Sequence, residues 1–227
     1  MFRIGVATGD RPEGPFRPEP EPIPGSFSID PAAFVDEDGT AYLYFGGLDG
    51  GQLERWASGR YVAPTADADP GQPDAPATGP RMARLSDDMT GFAEPVHEVL
   101  IVDEAGQPLK AGDHDRRFFE GVWIHRFGGL YYLSYSTGDT HRIVYATSTS
   151  PYGPFTWRGV ILTPVEGWTT HHSIVEVEGQ WRLVYHDALR SGHTLFRDAK
   201  WTGLVHEADG TIRTIDPFAA ADGTTRP

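Results

Sequence analysis

Three side chains with acid-base capacity stand in matching surroundings along this chain of 227 residues: Asp30 in SIDP, Glu120 in FFEG and His171 in HHS. An acid set among Phe118, Phe119 and Trp123 is costly to bury unless it is paired or put to work. Desolvation raises a carboxyl toward the proton affinity that a general acid needs near neutrality, whereas a nearby cation holds it ionised, so two carboxyls in unlike settings can take unlike roles. Carboxylates paired beside aromatic walls suit glycoside hydrolysis, in which one protonates the leaving oxygen and another activates water or attacks carbon. Plainer readings stand beside these. Asp30 before Pro31 also fits a turn-forming acid, and His171 a hydrogen-bonded packing residue. His172 reads as a wall or substrate contact, and the spacing of His171, His172 and His186 is not that of a zinc site.

Internal repetition supplies the frame that would bring these residues together. SIDPAAFVDEDGTAYLYF (28–45) lies over FFEGVWIHRFGGLYYLSY (118–135) at an offset of ninety, matching Asp30 to Glu120, Gly39 to Gly129 and Leu43 to Leu133. HHSIVEVEGQWRLVY (171–185) is a third copy, with Gly179 in the turn position. Each copy is a strand, a tight glycine turn and an aromatic-rich strand, which is a hairpin. IGVATGDRPEGPF (4–16) repeats as IVYATSTSPYGPF (143–155) and adds a third strand and a Gly-Pro-Phe corner leading to a fourth. The unit is a four-stranded antiparallel sheet, and its repetition predicts an all-β propeller with blades over 26–104, 116–165 and 170–216. Residues 1–20 match only the second half of a blade, 57–80 read as a long surface loop, and 218–227 as a frayed tail. The first strand of each blade lines the axis, so Asp30, Glu120 and His171 are expected to converge on one funnel. Tyr42, Tyr131, Tyr132 and Trp181 fall at hairpin positions expected between blades.

Composition narrows the partners. With 32 acidic against 19 basic residues the net charge is −13, and no basic cluster is present to neutralise phosphates, which disfavours nucleic acid and anionic membrane and favours a neutral ligand. There are no cysteines, so disulfides and thiolate metal sites are excluded. No apolar run approaches a membrane span and MFRIGVATGD lacks the pattern of a signal peptide, giving an expectation of a cytoplasmic protein.

The series SIDP, FFEGVW, YYLSYSTGDTH, GWTTHHSIVE and LVYHD, in that order, resembles the motifs of glycoside hydrolase family 43, five-bladed propellers that include β-xylosidases and α-L-arabinofuranosidases. The resemblance implies inverting hydrolysis of arabinofuranosyl or xylosyl bonds without a cofactor for the chemistry. It implies Glu120 as the general acid, Asp30 as the residue that tunes its pKa, and Arg197 in TLFRD as a substrate contact, although Arg197 reads equally as a surface arginine. Trp123 and His172 are the expected sugar-binding walls. His171 is implied to sit beside a structural Ca2+ near the axis, directly or through water, with plain packing as its alternative. By the same likeness, residues 1–217 are the end of blade II and blades III to V. The family's general base, an aspartate of the first blade, has no counterpart here, so impaired turnover is expected, as is self-association through the open edge. The rival reading is a noncatalytic carbohydrate-binding propeller. Two departures stand out: Val122 follows the EG motif where proline is usual, and Asp49 stands where close relatives often carry an aromatic.

Overall fold

Side chains that alternate between two apolar environments decide how the strands stack. Tyr42 and Tyr44 enter one buried cluster while Ala41, Leu43 and Phe45 enter another, so the strand carrying them has both faces covered. The same period of two divides Tyr131, Leu133 and Tyr135 from Tyr132, and Val144 and Ala146 from Ile143 and Tyr145. Sheets buried on both faces must be layered, and the computed structural model, which describes residues 2–56, 60–63, 72–168 and 170–219, shows four of them.

The first is a two-stranded piece, β1 (Ala7–Thr8) with β2 (Arg17–Pro18). The second is β3 (Ala32–Val35), β4 (Ala41–Phe45), β5 (Arg81–Arg84) and β6 (His97–Glu98), in that order. In the third sheet β7 (Ile101–Val102) lies beside β11 (Phe155–Leu162), followed inward by β10 (Ile143–Ser148), β9 (Leu130–Ser136) and β8 (Glu120–Phe127). The last is β12 (His172–Val177), β13 (Gln180–Asp187) and β14 (Asp198–Gly203). Three buried clusters fill the spaces between the layers. The inner strand β8 packs against β3 on one side and β12 on the other, as radial blades require.

The repeated hairpins turn where the glycines stand. Gly39, Gly129 and Gly179 have φ of +85°, +83° and +74°, values that cost a side-chain-bearing residue energy. The two Gly-Pro-Phe corners also coincide, with φ of +82° at Gly14 and +81° at Gly153. Tyr42, Tyr131, Tyr132 and Trp181 do pack between layers.

Two strand assignments differ from the sequence reading. Ile101–Val102, expected at the end of the blade over 26–104, crosses to the next sheet and runs parallel to Phe155–Thr156. Residues 170–216, expected to hold four strands, contribute three, and Ile215 instead bridges in parallel to Leu162. In both cases a short β-branched segment pairs with the outer strand β11, whose outer edge offers free backbone groups. Part of the expected surface loop is pinned: Pro76 bridges to Lys110, and the Ala77 amide donates to the Leu109 carbonyl at 2.7 Å. Residues 57–59 and 64–71 of that loop, and 220–227 of the expected tail, lie outside the described residues. No described helix is long and apolar enough to cross a membrane.

Candidate active site

Asp30 sits just before β3, Glu120 opens β8 and His171 immediately precedes β12, so three adjacent layers deliver one group each to the same end of their inner strands. Their ligand atoms all lie within 4.8 Å of one another. His171 Nε2 is 3.3 Å from Glu120 Oε1 and 3.5 Å from Asp30 Oδ2, and the Asp30 oxygen also accepts the Gly121 amide at 3.2 Å.

Local backbone makes this approach feasible. Asp30 has φ +57°, a left-handed conformation that aspartate tolerates better than most residues. The preceding turn is held by Ser28, whose hydroxyl accepts the Gly47 amide at 3.0 Å and donates to the Gly51 carbonyl at 2.9 Å. Gly121 has φ +65° and sits within an irregularity of the β8–β9 pairing. A Cβ there would come 3.2 Å from the His171 ring, so the missing side chain admits the imidazole beside Glu120.

Burial raises Asp30 above the usual carboxylate range; His171 opposes this, Glu120 adds to it, and the Gly121 amide opposes it. For His171 burial pulls the pKa down, but the hydrogen bond to Glu120 and the charges of Asp30 and Glu120 outweigh it despite Arg197, and the net shift is upward. Lying between two carboxyls therefore favours the protonated form of this partly buried imidazole relative to a free histidine.

Around this centre the other expected residues part company. Arg197 is exposed with its Nε donating to the Thr194 carbonyl at 3.1 Å, and its charge bears on His171 and His186. Trp123, expected as a sugar wall, donates its indole N–H to the Ile174 carbonyl at 3.0 Å, and its half-buried ring packs against the cluster between the last two sheets. His172 is also turned aside, its Nε2 2.6 Å from the Ser134 hydroxyl of β9. Successive residues of a strand face opposite ways, so when His171 enters the funnel His172 cannot follow it. Val122, in the position where proline is usual, is a core residue, 4% exposed. Trp123→Phe would leave the Ile174 carbonyl unpaired; a stability loss of about 1–2 kcal/mol by urea unfolding is expected, with sugar affinity unaltered.

Sequence reasoning missed His186, whose Nε2 accepts the His171 amide at 3.0 Å, while Thr170 donates to its carbonyl at 2.7 Å. The signal was present: with Val177 opposite Gln180 across the Gly179 turn, hairpin register sets 171 against 186.

Glycosyl hydrolases family 43 matches residues 2–212. The chain belongs to this family. It is 56% identical over 222 residues to xylosidase/arabinosidase 43A of Humicola insolens, covering 96% of this chain and 68% of that protein. It is 54% identical over 217 residues to a xylosidase/arabinosidase of Bacteroides ovatus, with 95% and 66% covered. Among solved structures, a family 43 β-xylosidase/α-arabinofuranosidase from a compost microbial metagenome, in complex with xylotriose and in a calcium-free form, superimposes with a TM-score of 0.92 at 63% identity, covering 95% of this chain and 66% of that one. A family 43 enzyme of Xanthomonas citri complexed with xylose gives 0.92 at 58% identity, covering 99% and 67%. The chain thus spans about two thirds of the length of these relatives. As a family 43 chain with all-β curled sheets, it shares their β-propeller architecture.

The family implies a calcium ion near the axis, and the donors allow a test. Asp30, Glu120 and His171 are the one His/Asp/Glu cluster with ligand-like spacing among the described residues. Calcium takes six to eight oxygens, whereas this set presents two carboxyls and an imidazole nitrogen already facing both. The trio does not fit a directly coordinated calcium, and no chemical step is assigned to a metal.

Proposed function

We propose that this chain carries the acid-donating part of an inverting glycoside hydrolase that acts on xylosyl or arabinofuranosyl units. The observation that carries the reading is the convergence of Glu120, Asp30 and His171 within 4.8 Å from three separate layers. Glu120 donates its proton to the glycosidic oxygen as the bond to the anomeric carbon breaks. Asp30, fixed by the Gly121 amide and His171, keeps negative charge beside the acid and so favours its protonated form before the sugar departs. His171 spans both carboxyls and sets their relative orientation.

Asp30 is too near to be the base. Inverting enzymes separate acid and base by about 6.5–9.5 Å to admit a water, and the Asp30 and Glu120 oxygens lie within 4.8 Å. The base motif of the family has no counterpart in these 227 residues, so a polypeptide of these residues alone is expected to turn over slowly. The sugar preference follows the relatives, two of which are named xylosidase/arabinosidase and two of which were solved with xylose or xylotriose. The second reading is a carbohydrate-binding propeller without turnover.

Aryl xyloside and aryl arabinofuranoside hydrolysis by the polypeptide and by Glu120→Gln separates the two. A working acid predicts that the intact chain exceeds the variant by at least ~10-fold. Equal rates with sugar binding retained would instead establish the binding protein.

A further inference from the structure

Strand β13 outlasts its partner at the end nearest the trio. Pairing of β12 with β13 stops at His172 opposite Tyr185, whereas β13 runs on through His186 and Asp187 against Ala199 and Asp198 of β14. His171, the residue that reaches the carboxyls, is therefore the first one outside the ladder. Continued pairing would keep it in the plane of the sheet. Its amide still needs an acceptor, and finds one in a side chain rather than in main chain: His186 Nε2, at 3.0 Å. Thr170 secures the same join, its hydroxyl donating to the His186 carbonyl at 2.7 Å.

The bond dictates the form of the ring. A nitrogen that accepts an N–H must carry a lone pair, so the proton of the neutral His186 imidazole is on Nδ1. Burial, Arg197 and His171 lower its pKa to about 4 against Asp187 and Glu120, which keeps the ring neutral near neutrality. Nδ1 is itself buried and has no hydrogen-bond partner among the described residues. An unpartnered buried donor lowers stability, so packing alone would favour an apolar side chain at this position. What the imidazole does provide is the acceptor for the His171 main chain. The His171 ring has little room of its own: a Cβ on Gly121 would stand 3.2 Å from it, and its centre is 5.9 Å from that of His186. A shift of main chain at 171 would therefore pass to Nε2 and to its distances of 3.3 and 3.5 Å from Glu120 and Asp30.

We propose that His186 is a positioning residue for the hydrolysis: by accepting the His171 amide it holds the turn into β12 so that the His171 imidazole meets both carboxyls. The role rests on the reading of Glu120 as the acid.

Long-range proton–nitrogen correlation spectra of the isotope-labelled polypeptide test the bond, and aryl xyloside kinetics well below the melting temperature test its use. The spectra should show His186 with its proton on Nδ1 and a coupling across the hydrogen bond from the His171 amide to Nε2. His186→Leu removes the acceptor and should lower kcat ~10-fold with KM nearly unchanged, as expected when a reacting group is misplaced. His186→Gln can return an acceptor to the same place and should recover most of the rate, although both variants lose the ring. A proton on His186 Nε2, a Leu variant with the parental kcat, or a Gln variant no faster than the Leu variant overturns the positioning role and leaves the glycosidase reading standing. A parent chain no faster than Glu120→Gln overturns both. The spectra are taken on the parent chain, so they decide even where a variant does not fold.

Discussion

Acidification from pH 7 to pH 4 is expected to remove a large part of the stability of this chain, because four histidines are held in surroundings that reject a proton. Burial takes His172 down to about 3, with the charge of His171 adding to the effect. Burial also takes His206 down to about 4. His186 falls to about 4 through burial and then the charges of Arg197 and His171, against opposition from Asp187 and Glu120. His125 lies well below its ordinary value through burial, then through His206 at 3.0 Å and His172. In the unfolded chain each imidazole takes a proton near pH 6.5, whereas in the folded chain His172, His186 and His206 resist until about pH 4 or below, and His125 is shifted in the same direction. Protons then bind the unfolded state preferentially, so stability declines as pH falls through 6.5 and continues to decline toward the folded values. His171 works the other way, its raised pKa giving stability in acid that is lost as pH rises, but it is one group against four. At about 1.4 kcal/mol per unit, and discounting the half-buried His186 and His206 for solvent screening, the loss is on the order of 5 kcal/mol. A domain has roughly 5–15 kcal/mol in all. Urea unfolding at pH 7, 6, 5 and 4 measures this, and His172→Gln, which can keep a bond to Ser134, should reduce the slope by about one proton. Stability independent of pH across that range would refute the account.

Gly138→Ala should be the most damaging single methyl addition next to the site. Gly138 has φ +75°, and a Cβ there would fall 2.4 Å from Phe119 Cγ, with further ring atoms at 2.6 and 2.8 Å. The ring cannot retreat freely, because Phe119 is 9% exposed and its backbone bonds to both Leu48 and Ser136. The left-handed backbone costs alanine about 1 kcal/mol, and overpacking adds about 1–3 kcal/mol. For a chain of this size the melting temperature should drop by roughly 5–15 °C. Moving Phe119 also moves its chain neighbour Glu120, so hydrolysis of aryl xyloside should fall in the same variant. Gly129→Ala is the control: its φ is +83° but nothing lies within 4 Å, so it bears the backbone cost alone. Equal melting temperatures for the two variants would show that the Phe119 contact is not restrictive.

Much of this arrangement was legible in the residues. The ninety-residue correspondence of Asp30 with Glu120 and the aligned turn glycines gave the layers and the meeting point, because hairpin register is set by local turn chemistry. What failed depended on information that no local pattern holds. Trp123 was read as a wall because it lies near Glu120 in sequence, yet Glu120 pairs with Ser136 and Trp123 with Ser134, an extra residue that carries the indole toward Ile174. His172 follows a simpler parity, facing Ser134 where its neighbour His171 faces the carboxyls. Ile101–Val102 and Ile215 look like ordinary strand residues of their own blades, and only the free flank of β11 draws them to the neighbouring sheet.

That flank has a consequence for how the molecule comes apart. Phe155–Leu162 is gripped near its start by residues that follow the second sheet and near its end by residues that follow the last one. Each outer sheet is therefore fastened to the middle one by chain that has already left it, across more than fifty positions of sequence. Neither can peel away without first releasing that shared clasp. Denaturation of these three layers should then be a single concerted event, and the trio they assemble should vanish with it rather than fade piece by piece.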